Sequence, residues 1–444
     1  MCPTATPSPS PTSSALASVR SGTQSVVTHT VAVGSEPFAV AITPDGRKAV
    51  VANNGGESIS IIDVAAGSVD HTVTVGPAPT DVAISPDGST AYVVVYGTFG
   101  YTATSALQWV DIATGTITCT VRSGPLGNYP TSVIVSPDGL FLYVYSTIPS
   151  QWLAKVRVSD GEVISPIYSF GGSSISHAAL SPDGSTIAIS PFLRTGTIQL
   201  VATSTMLNIR TLSLDISGGY MSYAKDGTSL FVTDRSENQV VVIDTSTYSV
   251  TRWASDGVAP NGLVTAASGR VYVSNSNSNS VASLLNGAAQ SVSSISSPQI
   301  PVLTEEQDRI LVPAQSGNAL AIIEASNFSL EMVSVGASPW RVATARGFAV
   351  VSNQNSNSVS IVRLGIRPAS GDQVPTAPLQ QFSRMENETC SDHIPDSVLF
   401  PGVGENQRAE SWAMSWAEWP NHGKGGFVCS RQPYYTNLGN WAVD

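Results

Sequence analysis

The sequence predicts an all-β fold built from a repeated unit, and three observations support that prediction. A Pro-Asp-Gly turn recurs along the chain, β-branched and aromatic runs of strand length flank it, and glycine (37) and proline (28) are plentiful among the 444 residues. Only 12% of the residues are charged, about half the usual quarter, which excludes a coiled coil or long-helix protein. The net charge of −11 argues against a nucleic-acid partner, because phosphate binding needs clustered Lys and Arg.

The recurring turn has a physical cause. Proline presets φ for the first turn position, aspartate bonds back to nearby amides, and glycine accepts positive φ. The turn reads Thr-Pro-Asp-Gly at 43–46, Ser-Pro-Asp-Gly at 85–88, 136–139 and 181–184, and Ala-Lys-Asp-Gly at 224–227. Consecutive turns stand 42 to 51 residues apart. This period fits four short antiparallel strands with their turns, which form one blade of a β-propeller.

Weaker copies of the unit follow at 271–281, 310–323 and 348–362, which predicts eight blades over about residues 23–366. A seven-bladed ring is the alternative if one weak copy is not a full blade. The eighth copy supplies only three strands, whereas the segment 25–34 has the pattern of a lone fourth strand. Pairing this segment with the eighth copy would close the ring and remove an exposed sheet edge.

The repeats resemble those of the YVTN-type β-propeller family of bacterial and archaeal surface proteins. The resemblance is carried by Val-Ser-Asn-Ser-Asn-Ser-Asn-Ser-Val at 273–281 and Val-Ser-Asn-Gln-Asn-Ser-Asn-Ser-Val-Ser at 351–360, and the repeats cover about three quarters of the chain. It implies a propeller fold and favours a surface protein. It does not specify an activity, because similar propellers also serve as lyases, lactonases and redox-enzyme subunits.

The N-terminal segment differs in composition from the ring. Residues 1–22 are rich in Pro, Ser and Thr, so they cannot bury a core and are expected to be disordered. The start, Met1-Cys2-Pro3, resembles a mature bacterial lipoprotein, and a lipid anchor at Cys2 is one interpretation; a linker with an incidental cysteine is the other. No run of 18 apolar residues predicts a transmembrane segment. We expect the protein to be extracellular or at the cell surface.

The end of the chain is interpreted as a linker, 367–380, followed by an aromatic-rich module, 381–444. Five aromatic residues of the module are candidate glycan-binding residues, because aromatic rings stack on sugars: Trp412, Trp416, Trp419, Tyr434 and Tyr435. The alternative is that they form the module's own core. The spacing of the three Trp also fits one face of a short helix.

The cysteines predict a staple in the C-terminal module. A module of about 60 residues often needs one, so we predict a Cys390–Cys429 disulfide and an oxidising compartment. Zinc binding by this pair with His393 and His422 is less favoured, because the close ligand pairs of usual sites are missing. Cys119 is interpreted as an inert small hydrophobe. We predict no metal site and no cofactor.

A candidate site emerges when the repeats are aligned. A proline precedes the first, innermost strand in several repeats, and the residue two positions after it should lie near the mouth of the central channel. Around the ring this position reads Ala39, Asp81, Ser132, His177, Tyr220, Gly262 and Arg341, with Ile300 the nearest equivalent in the seventh repeat. Four of these, Asp81, His177, Tyr220 and Arg341, could form a binding or acid–base set. The alternative is that they face solvent at the rim.

Two functions are compatible with these features. The first is a non-enzymatic extracellular or cell-surface binding or adhesion protein that recognises a glycan or a protein. The second is a secreted lyase or hydrolase that uses the mouth residues, with His177 as general base and Tyr220 or Arg341 as electrostatic support. A redox subunit is less favoured, because the chain has no Cys-x-x-Cys-His haem motif.

Overall fold

The fold is known from a computed structural model, which describes residues 24–147, 151–169, 175–191, 196–217 and 219–365 and two later strands. The first five ranges form eight four-stranded antiparallel sheets, which are the blades of a β-propeller. The prediction of eight blades is confirmed, and the seven-bladed alternative is wrong. In each blade the first strand is innermost, and in blades 1 to 7 the next three strands pair in chain order towards the outside.

Blades 1 to 4 each use four consecutive strands. They are Pro37–Ile42, Lys48–Asn53, Ser58–Asp63 and Ser68–Thr74 in blade 1; Pro79–Ile84, Thr90–Val95, Ala106–Asp111 and Thr116–Arg122 in blade 2; Ser132–Val135, Phe141–Ser146, Trp152–Arg157 and Val163–Ser169 in blade 3; and Ile175–Leu180, Thr186–Pro191, Thr197–Ala202 and Leu207–Ser213 in blade 4.

Blades 5 to 8 repeat this plan, and the last blade borrows one strand from the N-terminus. The strands are Met221–Tyr223, Ser229–Asp234, Gln239–Asp244 and Val250–Ala254 in blade 5; Pro260–Thr265, Val271–Asn275, Ser280–Leu285 and Ala288–Ser293 in blade 6; Val302–Leu303, Arg309–Ala314, Ala319–Glu324 and Leu330–Ser334 in blade 7; and Pro339–Ala345, Phe348–Asn353, Ser358–Arg363 and Val26–Ala32 in blade 8. Short 3-10 helices follow the second strand in blades 1, 2, 7 and 8: Asn54–Gly56, Thr102–Thr104, Gln315–Gly317 and Gln354–Ser356.

The N-terminal strand closes the ring, as the sequence predicts. Val26–Ala32 pairs antiparallel with Ser358–Arg363. Just before it, the backbone N–H and the hydroxyl of Ser25 donate to the carboxylate of Glu331 in blade 7, at 2.8 and 2.9 Å. Val31 is only 5% exposed and belongs to an apolar cluster shared by blades 8 and 1. The strand therefore covers the edge that blade 8 would otherwise expose.

The Pro-Asp-Gly turns have the conformation that their sequence predicts. The glycine takes φ between +70° and +76° in all five. In the first turn the Asp45 carboxylate accepts hydrogen bonds from the Thr43 hydroxyl, at 2.6 Å, and from the backbone N–H of Arg47, at 3.0 Å. Equivalent bonds recur at Asp87, Asp138 and Asp183. These aspartates thus stabilise the link between the first and second strands.

A buried asparagine explains one position of the Asn-rich motif of the repeats. In blade 8, Asn353 is fully buried at the end of the second strand and donates to the hydroxyls of Ser358 and Ser360, at 3.2 and 3.0 Å. It packs against Gly336, where an added Cβ would lie 2.6 Å from Asn353 Cγ and 2.5 Å from Ser356 Oγ. Blades 1 and 6 repeat this contact between Asn53 and Gly34 and between Asn275 and Gly257.

The chain divides into two compact units, Met1–Asp372 and Gln373–Asp444. In the second unit the structure describes one antiparallel strand pair, Trp412–Ala417 with Gly426–Arg431. Trp412 and Trp416 therefore lie on a strand, and the interpretation of this segment as a helix is wrong. Over the described residues, no helix is both long and apolar enough to cross a membrane.

Candidate functional site

The structure brings the four residues of the predicted set to one cavity in the centre of the ring. The cavity has a volume of about 810 Å³. Asp81, His177, Tyr220 and Arg341, from blades 2, 4, 5 and 8, contribute to its wall. Three more positions of the aligned register also line it, namely Ala39, Ser132 and Ile300. Gly262 is not among the lining residues.

A β-bulge at the start of the first strand sets the direction of three of these side chains. In blade 2 the pairing register shifts between Pro79 and Asp81, and in blade 8 it shifts between Pro339 and Arg341. The same shift precedes His177 in blade 4. A bulge places two residues opposite one and changes the direction of the side chains that follow it. The bulge therefore accounts for the direction of Asp81, His177 and Arg341 towards the channel.

Serine hydroxyls on the second strands tie neighbouring blades together behind the site. Arg341 N donates to Ser352 Oγ at 3.1 Å, and the same hydroxyl donates to the carbonyl of Phe38 in blade 1 at 3.0 Å. The hydroxyl of Ser190 in blade 4 donates to the carbonyl of Gly219, which precedes Tyr220, at 2.7 Å. These bonds hold the backbone of Arg341 and Tyr220 in place relative to the adjacent blade.

Asp81 already has hydrogen-bond partners in the protein. Its Oδ2 accepts from the Ser132 hydroxyl at 2.6 Å and from Val133 N at 3.1 Å, and its Oδ1 accepts from Val82 N at 3.0 Å. Burial raises the pKa of the carboxyl, although these hydrogen bonds and the nearby Arg341 charge oppose the rise. Asp81 thus links blade 2 to blade 3, and much of its capacity to accept hydrogen bonds is already used.

The rings of His177 and Tyr220 are in contact in the wall of the cavity and are tilted relative to each other. Their ring centroids are 3.9 Å apart, with 31° between the planes. Burial, assisted by the Arg341 charge, lowers the pKa of His177 to about 3, so the imidazole is neutral at physiological pH. Its Nδ1 accepts from Met221 N at 3.3 Å, which assigns the proton to Nε2. Burial raises the pKa of Tyr220, so its hydroxyl remains protonated.

Arg341 is the cation of the site. Among the residues that the structure describes, no acceptor hydrogen-bonds or ion-pairs with its guanidinium; its backbone N–H alone donates, to Ser352. The charge still acts on its surroundings, because it contributes to the lowered pKa of His177 and opposes the raised pKa of Asp81 and Tyr220. The guanidinium therefore borders the cavity with its donors available to a ligand.

Sequence reasoning missed Tyr145, which also lines the cavity. It lies on the second strand of blade 3, directly opposite Ser132 in the pairing register. Burial raises the pKa of its hydroxyl, and hydrogen bonding to Ser132 partly opposes this rise. The signal was present in the sequence, because the equivalent position is Ser190 in blade 4 and Ser352 in blade 8. A Tyr among small residues marks the place where a second strand contributes a large side chain to the channel.

A further polar atom of the cavity wall has no hydrogen-bond partner. Thr80, the extra residue of the blade 2 bulge, lines the cavity, and its buried hydroxyl finds no partner within the described part of the chain. Buried polar groups are nearly always hydrogen-bonded in proteins, to protein, water or ligand. The Thr80 hydroxyl is therefore an unsatisfied polar group in the wall of the cavity.

Most of the predicted C-terminal site lies beyond what the structure describes. Trp419, Tyr434, Tyr435 and Cys390 fall outside the described residues, and the side chains of Trp412, Trp416 and Cys429 are not described. The ligand-binding role of the aromatics and the Cys390–Cys429 disulfide stay predictions. No group of three or more His, Cys, Asp or Glu in the described ranges could hold a metal ion.

Cys119 differs from its interpretation as an inert thiol. It is buried in the fourth strand of blade 2 and is disulfide-bonded. No complete disulfide is seen among the residues that the structure describes.

Known structures share the fold. The propeller is similar to Kuenenia stuttgartiensis hydrazine synthase at 17% sequence identity and a TM-score of 0.54, covering 75% of this chain and 96% of that one. It is also similar to the β-propeller domain of Cps50 (Swd1) from Myceliophteria thermophila at 11% identity and a TM-score of 0.53, covering 77% and 99%. No family model and no curated protein matches the chain. These likenesses establish the β-propeller and nothing finer.

Proposed function

We propose that the protein is an extracellular or cell-surface propeller, with repeats of the YVTN type, that binds a glycan in its central channel. The observation that carries the proposal is the cavity of about 810 Å³, into which polar side chains from several blades converge. This volume falls within the range of small-molecule pockets and is far too small for a folded protein domain. Of the two partner classes compatible with the sequence, the cavity therefore favours the glycan.

The composition of the wall fits a sugar. Hydroxyl-bearing residues such as Thr131, Ser132 and Ser176 alternate with aliphatic side chains, and Tyr145 and Tyr220 contribute aromatic rings. Sugars present hydroxyls at their edges and C–H groups on their faces, so a wall of this kind can satisfy both with hydrogen bonds and ring contacts.

A channel-filling variant tests the proposal. Ile300 lines the cavity, and Ile300→Trp would add bulk to the channel without altering a polar residue of the site. The matched control is Met332→Trp, on the outermost strand of blade 7, where the side chain is 42% exposed. On a glycan array the wild type and Met332→Trp should bind the same glycans, and Ile300→Trp should lose them. Equal binding by all three proteins, or no binding by the wild type, would contradict a channel site.

A secreted lyase or hydrolase is the second candidate, favoured by the ring contact between His177 and Tyr220 beside Asp81 and Arg341. A general base works best with a pKa near the operating pH, whereas the pKa of His177 is about 3. The low pKa of His177 therefore favours binding over general-base catalysis. Release of reducing ends from an array-positive glycan by the wild type, abolished in His177→Asn, would favour the enzyme instead.

A further inference from the structure

We propose that the ligand of the channel carries a carboxylate, which the Arg341 guanidinium binds while Tyr220 and His177 donate further hydrogen bonds to the ligand. This inference rests on the proposed function and specifies it: the glycan contains an acidic sugar, such as a uronic acid. It depends on which donors, acceptors and charges the described residues place around the cavity.

The first argument is the charge of Arg341. The guanidinium borders the cavity and has no ion pair among the described residues, so its donors are available to an anion that enters. The nearest candidate in the set, the Asp81 carboxyl, is engaged by Ser132 and Val133 and makes no ion pair with Arg341. A ligand carboxylate would supply the missing counter-ion. The planar fork of arginine matches a carboxylate with two parallel hydrogen bonds.

The second argument is the excess of donors over acceptors. The neutral His177 carries its proton on Nε2, because Nδ1 accepts from Met221 N. The hydroxyl of Tyr220 has no hydrogen-bond partner among the described residues and lies in the same wall. The guanidinium and the Nε2–H of His177 can only donate, and the hydroxyl of Tyr220 can donate as well as accept. An anionic, acceptor-only group such as a carboxylate complements such a set, whereas a cationic ligand would be repelled by Arg341.

Matched pairs of sugars test the inference. D-Glucuronate differs from D-glucose, and D-galacturonate from D-galactose, in bearing a carboxylate in place of a hydroxymethyl group. The four sugars are titrated by calorimetry into wild type, Arg341→Gln and Arg341→Lys. The control is Arg122→Gln, which removes an exposed arginine from the outermost strand of blade 2. Thermal unfolding of each variant checks that it is folded.

We expect the wild type to bind at least one uronate about 10- to 100-fold more tightly than its neutral partner, as fits one charge-assisted, bidentate contact. Arg341→Gln should abolish this preference, Arg341→Lys should restore part of it, and Arg122→Gln should leave it unchanged. A preference that survives in Arg341→Gln would overturn the inference, because the carboxylate would then bind elsewhere.

Two further outcomes separate this inference from the proposed function. If a uronate and its neutral sugar bind equally well, and Ile300→Trp removes both, the channel binds a glycan but the carboxylate inference is wrong. If neither uronate binds, while the wild type binds a neutral glycan on the array and Ile300→Trp does not, the channel again binds a glycan and the carboxylate inference is wrong. If no sugar binds at all, both the inference and the proposed function are wrong.

Discussion

The neutral state of His177 makes the stability of the propeller depend on pH in a defined direction. The pKa of this imidazole is about 3 in the folded protein, against an ordinary value of 6.5. Between these two values the unfolded chain binds more protons at this residue than the folded protein. The free energy of unfolding should therefore fall as the pH drops below about 6.5. In His177→Asn, whose side-chain oxygen can still accept from Met221 N, this dependence is removed.

The magnitude follows from the two pKa values. One proton of difference changes the free energy of unfolding by about 1.4 kcal/mol per pH unit. Because the unfolded chain is only partly protonated near pH 6, the free energy of unfolding of the wild type should fall by about 2 kcal/mol through His177 between about pH 6 and about pH 4.5. The raised pKa of Asp81 acts in the opposite direction, but it is present in both proteins, so their difference isolates His177.

The assay is urea unfolding of wild type and His177→Asn at a series of pH values, followed by circular dichroism. The unfolding free energy of the wild type should fall by about 2 kcal/mol more than that of the variant over this interval. Ring signals of His177 in nuclear magnetic resonance should show no titration between pH 7 and pH 5. Parallel pH profiles for the two proteins would refute the reasoning, since His177 would then titrate near its ordinary value.

Three other predictions concern ring closure, the glycine contact and the second candidate site. Val31→Asp should lower the free energy of unfolding by about 3 kcal/mol or more, because it buries a charge. The same change at Val26, which is 47% exposed, should lower it by well under about 1 kcal/mol. Urea unfolding midpoints measure both effects. Gly336→Ala should lower the free energy of unfolding by about 1–3 kcal/mol, because the added methyl group overpacks the contact with Asn353. The loss should be clearly smaller in an Asn353→Ala background, where the amide is absent. If the effects of the two substitutions simply add, the contact is contradicted. Trp416→Ala should leave uronate binding unchanged in calorimetry, and a loss there would move the ligand site to the C-terminal unit.

The turn sequences and the count of strands in each repeat predicted most of the ring. The Pro-Asp-Gly turns could be identified because each residue has a separate conformational role, and the closing strand could be identified because an eighth copy with three strands leaves an unpaired edge. Blade 7 was hardest to align, since its first strand, Val302–Leu303, has only two residues. Pro301, which immediately precedes it, has no N–H to donate to a longer ladder.

The site could be predicted only in part. The repeat alignment located Asp81, His177, Tyr220 and Arg341, and the first, second and fourth of these follow the same β-bulge in their blades. It could not show that the Asp81 carboxylate accepts a hydrogen bond from Ser132, since this bond joins two blades and the residues are 51 positions apart in sequence. It missed Tyr145 because the alignment compared positions on the first strands, whereas Tyr145 lies on a second strand.

The central claim is that the channel holds a ligand by its carboxylate at Arg341. A crystal structure of the wild-type protein grown with the more tightly bound uronate tests it most directly. The account predicts electron density for the sugar in the central cavity, with its carboxylate oxygens in hydrogen-bond contact with the Arg341 guanidinium and near Tyr220 and His177. A sugar bound outside the channel, or one inside it whose carboxylate points away from Arg341, would contradict the account.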